Sequence, residues 1–402
     1  MKEVRIGLIG TGLISHRHMK VWSQIPGVKI VAGCDIVETR LQDWGAKYNI
    51  ADLYADYRQM LLRDDLDAVD VCVHNNLHLP LSLAVLRAGK HCYCEKPMTG
   101  SYADAVTMYK AQNIYNRKLA IQISSIFNLQ SRMGRDMIQN GELGRIYHAR
   151  SVGHRRVGRP GVDMPVFSPD FYSAAIGGHG PIFDLGVYRI SQLLFMMGLP
   201  KLQSVYGAAY HGIDIDERLL RGRQYEVEDL GVGLARYEGG LTLDIIETWA
   251  INIDQIGPSF IAGSKGGLKI LATDTFGGQL SNEDLFLKNP QELEFYGYEN
   301  GRMVDKKMNV LMNHRAEMAA DPHNAVYNDN QRHWLAYLTG ELTDETRYDT
   351  PWLAMQTALV SEGIFLSNEL GRSVTADEIE SLSVSTAVRR QETDWGVLEY
   401  DF

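Results

Sequence analysis

The chain is poor in cysteine and proline, carries no excess of positive charge and has no long apolar run. Its four cysteines (Cys34, Cys72, Cys92 and Cys94) fall in the first quarter, inside apolar runs and without a Cys-x-x-Cys pair. That placement speaks for buried thiols and against a disulfide framework or a cysteine metal site, and no metal is expected. Twelve prolines in 402 residues, with 45% hydrophobic and 22% charged residues, exclude a disordered chain. Lysine and arginine total 40 against 50 aspartates and glutamates, a net charge of -10. Such a balance repels phosphate backbones and anionic bilayers, so neither nucleic acid nor membrane is an expected partner. No apolar stretch approaches the ~20 residues of a spanning helix. Met1-Lys2-Glu3 runs straight into an apolar strand and not into a signal-peptide pattern, so the expected location is cytoplasmic. At ~100–200 residues per domain, the length predicts two domains.

What is present is organised in two styles. Up to about residue 125, short β-branched runs (4–9, 29–34, 68–73, 91–94 and 119–123) alternate with helical patterns (39–48, 79–88 and 102–116). This alternation predicts βαβ units and a parallel sheet covered on both faces. Beyond a helix at 130–140, longer strand-like runs appear at 145–152, 231–237 and 241–249. Gly239 and Gly240 form a hairpin turn between the last two. The second part therefore reads as an α+β domain. Residues 155–180 and 208–226 read as long loops, helices return at 331–338 and 351–366, and the tail after Ser373 carries no clear pattern. The division expected is 1–125 and 126–402, with the C-terminal segment free to pack back on the first domain.

The sharpest motif is Gly10-Thr11-Gly12-Leu13-Ile14-Ser15, between a strand and a helical stretch beginning near His16. Gly10 permits a tight turn and Gly12 lets the backbone approach a pyrophosphate. The helix start offers free N–H groups to that anion. Ser15 replaces the usual third glycine but is small enough for close packing. Asp35, at the end of the next strand, is placed to accept both ribose hydroxyls of NAD and to repel the extra phosphate of NADP. NAD is the expected cofactor.

With Glu95-Lys96-Pro97 ending the 91–94 strand, the chain resembles the Gfo/Idh/MocA oxidoreductase family. The resemblance also rests on Asn76-Leu77-His78, Ala88-Gly89-Lys90-His91, Gly177-Gly178 and Asp184-Leu185-Gly186-Val187-Tyr188. It implies an α/β protein with an N-terminal Rossmann domain, a doubly wound parallel sheet. The implied C-terminal α+β domain is built on a large, open, mostly antiparallel sheet through which subunits form a homo-oligomer. It also implies hydride transfer between nicotinamide and a hydroxyl carbon of a sugar, cyclitol or glycoside. Lys96 matches the family's active-site lysine, and Glu95 and Asn76 match positions beside the nicotinamide. His78 is divided evenly between a helix cap and a cofactor contact. The family's second motif, Asp then His four residues on, here reads Asp184 and Tyr188. Members similar to glucose–fructose oxidoreductase or dihydrodiol dehydrogenase share the tyrosine form. One helical turn apart, the two residues share a face. A neighbouring lysine favours the phenolate, so Tyr188 with Lys96 is a workable proton-transfer pair, and His179 is the rival base. Two other outcomes fit the resemblance: a glycosidase that oxidises a sugar only transiently, and a non-catalytic NAD-sensing regulator.

Other features stay open. Arg145, Arg150, Arg155, Arg156 and Arg159, with His148 and His154, form a basic stretch that reads as an interface or solvated loop before an anion site. Ser124-Ser125 stands where relatives often carry an arginine. Tyr172, His314, His323 and His333 are pocket or structural residues, and Trp249 reads as packing. His74 and His78 have a metal-ligand spacing without a third ligand.

Overall fold

The computed structural model describes residues 3–254, 256–271, 292–393 and 395–402. Six short strands come first: β1 (Val4–Ile9), β2 (Val28–Cys34), β3 (Leu53–Tyr54), β4 (Ala68–Val71), β5 (His91–Cys94) and β6 (Leu119–Ile121). They form one parallel sheet in the order β3-β2-β1-β4-β5-β6. The order reverses beside β1, which opens a crevice at the carboxyl ends of β1 and β4. β4 is wholly buried, Asp70 included. One face carries helix α1 (Leu13–Trp22) and helix Glu38–Tyr48, with Trp22 and Trp44 in the core. The other carries Tyr57–Leu61, His78–Arg87 and Tyr102–Ile114. Helix α1 starts three residues before the expected His16, because extended Gly12 already serves as its N-cap.

The larger sheet has nine strands. Besides β7 (Ile146–Gly153), β8 (Leu202–Tyr210), β9 (Leu230–Tyr237) and β10 (Thr242–Thr248), it contains β11 (Ser259–Gly263), β12 (Gly266–Leu271), β13 (Glu292–Glu299), β14 (Arg302–Met308) and β15 (Val374–Thr375). The order is β14-β13-β12-β11-β7-β10-β9-β8-β15, antiparallel except where β7 meets β10. Gly239 and Gly240 take positive φ in the β9–β10 turn, as the hairpin requires. Ala149, Leu243, Ala235 and Val205 face helices Gly186–Met196 and Thr350–Leu370 and are buried. The registered row Tyr206, Leu234, Asp244, Arg150, Phe260, Lys269, Glu294 and Lys307 crosses the opposite face.

Two expectations change. β8 extends to Tyr210 and takes up the start of the expected loop at 208–226. The tail is structured: helix Ala376–Leu382 is closed by a Thr375–Glu378 capping box, and the hairpin of β16 (Arg390–Thr393) and β17 (Gly396–Glu399) follows. Tyr400 beyond it stacks on Tyr57 of the first sheet's helices at 5.9 Å. Helix Asn330–Thr339 also lies against the first sheet, with Trp334 at 5.2 Å from Tyr93, and Asn330 donates to the Ile121 carbonyl at the β6 edge.

Candidate active site

The crevice is lined by backbone at one end. Gly10 has φ +91°, and a Cβ there would overlap the Cys72 carbonyl oxygen of the next strand's end, so only glycine closes this turn. Gly12 is different: a Cβ on it would meet nothing within 4 Å. The start of α1 has no side-chain cap and no acidic residue in its first turn. Open space in front of uncapped N–H groups fits a pyrophosphate. Ser15 is buried and donates to the Gly12 carbonyl at 2.6 Å, the close contact its small size allows. Asp35 lies at the end of β2, where Oδ2 accepts from the Thr11 N–H at 2.7 Å and the Thr11 hydroxyl at 3.0 Å. Its two oxygens also take a bidentate grip from Arg40 at 2.6 and 3.0 Å.

Three expected cofactor contacts have side chains engaged elsewhere. His78 is fully buried, with Nδ1 at 2.7 Å from the Pro97 carbonyl and Nε2 at 3.1 Å from that of Val73; burial lowers its pKa, so the neutral ring donates to one of the two. Both ring nitrogens face backbone carbonyls, one of them in the loop after Lys96. The Asn76 amide donates to the Ala174 and Ala175 carbonyls, and its oxygen accepts from Thr386, so it ties the long loop and the tail to the crevice. Glu95 turns inward: Oε1 meets His18 and Oε2 accepts the Lys96 N–H, both at 2.8 Å. Gly-rich patterns signal backbone geometry, and they say nothing about where neighbouring side chains turn.

At the other end, side chains converge. Lys96 follows β5 by two residues, and its Nζ donates to Asp184 Oδ1 at 2.7 Å and to the Asp184 carbonyl at 3.2 Å. The same ammonium lies 4.7 Å from the Tyr188 ring centroid. Asp184 ends the short helix Pro181–Asp184, whose start is held by Glu228 accepting from the Gly180 and Ile182 N–H groups. Its other oxygen, Oδ2, accepts from Trp249 Nε1 at 3.0 Å. Trp249 is thus part of the constellation as well as packed, a role no local pattern marks because it lies 65 residues from Asp184. Burial opposes charge on both partners. The Asp184 carboxylate nevertheless lifts the Lys96 pKa, and Lys96 with Arg155 lowers that of Asp184, so both are ionised.

Tyr188 departs from the expected tuning. Burial raises its pKa and outweighs the pull of Lys96, so the phenol keeps its proton at neutral pH. His179 lies face to face with Phe183 at 4.7 Å and Phe365 at 4.1 Å, and burial pulls its pKa down to about 4. The rival base is thus a neutral ring in an aromatic stack. The basic stretch divides. Arg150 pairs with Asp244 and Arg159 with Asp163, whereas Arg155 reaches the field of Asp184 and is pulled down to about 10 by burial. Tyr172 donates to the Leu220 carbonyl, and His333 sits among Phe127, Tyr327 and Tyr348.

Two family models match the chain, and they decide its kinship. Residues 4–122 fit the oxidoreductase family with an NAD-binding Rossmann fold, and residues 132–269 fit the GFO/IDH/MocA C-terminal domain. The chain belongs to the Gfo/Idh/MocA family. It is an oxidoreductase of that family, and NAD is its cofactor. D-glucoside 3-dehydrogenase of Escherichia coli (strain K12) is 28% identical over 256 residues, 62% of this chain and 71% of that protein. Myo-inositol 2-dehydrogenase of Thermotoga maritima is 26% identical over 59% of this chain and 66% of that one. The same fold occurs in an oxidoreductase from Agrobacterium radiobacter solved with NAD+, L-tartaric acid and magnesium. Its TM-score is 0.71 at 18% identity, covering 94% of this chain and 99% of that one.

Proposed function

We propose that this chain moves a hydride between NAD and a hydroxyl-bearing carbon of a sugar, cyclitol or glycoside, with Lys96, Asp184 and Tyr188 as its reacting set. The observation that carries this reading is the buried contact of Lys96 with Asp184 beneath the Tyr188 ring, at the carboxyl end of β5. Bound NAD supplies the hydride acceptor or donor. The uncapped N–H groups at the start of α1, residues 12–14, would hold its phosphates, and Asp35 would meet the ribose in place of Arg40. Lys96 hydrogen-bonds the substrate oxygen and stabilises the charge it gains as the C–H bond breaks. Asp184 holds Lys96 in place and accepts from a neighbouring hydroxyl. Tyr188 moves the proton. Both Lys96 and Tyr188 rest protonated, which equips the site to reduce a carbonyl at neutral pH. Oxidation needs a proton to leave first, so it gains as pH rises.

We further propose that the chain divides near residue 125 and works in the cytoplasm. The sheet row with exposed Tyr206 and Leu234 and half-buried Phe260 would be the face through which copies associate. Absorbance of reduced nicotinamide, followed with NAD+ and a panel of sugars, cyclitols, uronic acids and aryl glycosides, tests the activity. Reduced cofactor far beyond the enzyme concentration supports it. Aglycone release without net reduction would replace it with the glycosidase reading, and NAD binding without turnover of any compound with the regulator.

A further inference from the structure

A charged residue inside a fully buried parallel strand is out of place unless it has a partner. Asp70 in β4 is such a residue, and it is fully buried. Its Oδ2 accepts from Trp22 Nε1 at 2.7 Å and lies 2.8 Å from His18 Nδ1. His18 sits on α1, the helix whose start faces the cofactor crevice, and its other nitrogen lies 2.8 Å from Glu95 Oε1. Glu95 Oε2 in turn accepts the Lys96 backbone N–H. The imidazole therefore bridges two carboxylates, one in the sheet and one adjoining Lys96. Both bridges are donated at once only when both ring nitrogens carry protons.

The other groups facing His18 agree with that state. Burial opposes its charge, but Asp70 and Cys72 raise its pKa well above the ordinary value. The Tyr93 ring stands at a steep angle to it with centroids 5.8 Å apart, and Gln331 donates to the His18 carbonyl. Cys72 Sγ is 3.3 Å from Nδ1, and His18, Asp70 and Cys72 bring their ligand atoms within 4.8 Å of one another. With Nδ1 engaged by Asp70 and Nε2 by Glu95, this trio is a hydrogen-bonded core.

We propose that His18 is a positioning residue for Lys96: by clamping Glu95 between itself and the Lys96 N–H, it sets the point from which Lys96 reaches Asp184 and the substrate oxygen. This rests on the reading of Lys96 as the reacting lysine. The clamp ties α1, the cofactor's helix, to the loop that carries the reacting ammonium. Misplacement on the scale of an ångström costs large factors in rate.

The test compares His18→Asn with His18→Gln in the full-length protein. Asn keeps a donor near the Nδ1 position and loses the one toward Glu95, whereas Gln extends a donor toward Glu95. Turnover is read with NAD+ and methyl β-D-glucopyranoside or myo-inositol, cofactor affinity with NADH fluorescence, and folding by thermal melting. In His18→Asn, kcat should fall roughly ten- to a hundredfold, with the NADH Kd and the substrate KM moving less than about threefold. His18→Gln should recover most of the loss. In a Lys96→Met background, His18→Asn should cost nothing more, because it acts through that lysine. If His18→Asn does not fold, Glu95→Gln breaks the same clamp and should show the same kcat loss. Unchanged kcat in a folded His18→Asn, equal losses in Asn and Gln, or the same factor in both Lys96 backgrounds would overturn the proposal. Wild-type turnover in Lys96→Met would instead sink the reading of Lys96, and the proposal with it.

Discussion

The two ends of the crevice solve recognition differently. At the cofactor end, the groups turned toward the ligand are backbone: Gly10 closes the turn, and Gly12 opens the space before α1. The side chains there hold one another. Asp35 grips Thr11 and Arg40, His78 lies between two carbonyls, and Glu95 grips His18. At the substrate end the reverse holds. Lys96, Asp184 with Tyr188, and Trp249 come from three separate stretches of the chain and meet through their side chains. A common cofactor can be read by a standard backbone turn, whereas a particular substrate demands side chains that only the folded chain assembles.

The largest effect should come from breaking the substrate end. Lys96→Met is expected to lower kcat by on the order of 10² or more, the range for a positioned proton-transfer assistant, with NADH affinity little changed. Asp184 would lose its counter-charge in a buried site, so the melting midpoint should also fall, and Lys96→Met/Asp184→Asn should recover part of it. The pH profile sharpens the assignment. With Tyr188 as the proton carrier, oxidation should climb through neutrality without an inflection near pH 4, because its pKa is raised. An activity limb near pH 4 that His179→Ala abolishes would move the role to His179, whose pKa is about 4.

At the cofactor end two glycines should part company. Gly10→Ala meets both a positive φ and the Cys72 carbonyl, so unfolding in urea should show a loss of about 3 kcal/mol. Gly12→Ala meets no protein atom within 4 Å; it should fold normally and lose NADH affinity. Equal melting of the two variants would erase the distinction between a structural and a ligand-facing glycine. Asp35→Ala comes next. It deletes the carboxylate meant for the ribose, at about 1.5–3 kcal/mol for a bond to a charged acceptor. It also frees the half-exposed Arg40, a ready phosphate partner. Parallel titrations should therefore show weaker NAD binding and a preference shifted toward NADP.

The same contrast explains what the sequence discloses. The β1–α1 turn, β5 and the β9–β10 hairpin are visible because each rests on local rules: apolar runs, helix starts and glycines with positive φ. Lys96, Asp184 and Tyr188 come through the family resemblance, since Lys96 lies 88 residues from Asp184 across the cleft. Asp70 and His18 are hidden. A single acid in β4 and a histidine in an amphipathic helix look ordinary until the fold sets their nitrogen and oxygen 2.8 Å apart. The direction of the Tyr188 shift is a matter of burial, and one neighbouring lysine does not reveal how completely a ring is desolvated.

Trp249 is the sharpest small test, because it separates packing from function at one residue. Trp249→Phe keeps most of the buried ring and deletes only the N–H that Asp184 Oδ2 accepts at 3.0 Å. Lys96 retains the other oxygen, so the carboxylate stays charged but is free to turn about the remaining bond. Loss of one bond to a charged group sets the scale at about 1.5 kcal/mol, roughly tenfold in kcat/KM. If Asp184 orients substrate through a neighbouring hydroxyl, most of that loss should appear in KM, with kcat moving little, since the proton path through Lys96 and Tyr188 is intact. A fall confined to kcat would instead place the bond in the proton path. No change in either constant, with a lowered melting midpoint, would return Trp249 to packing alone.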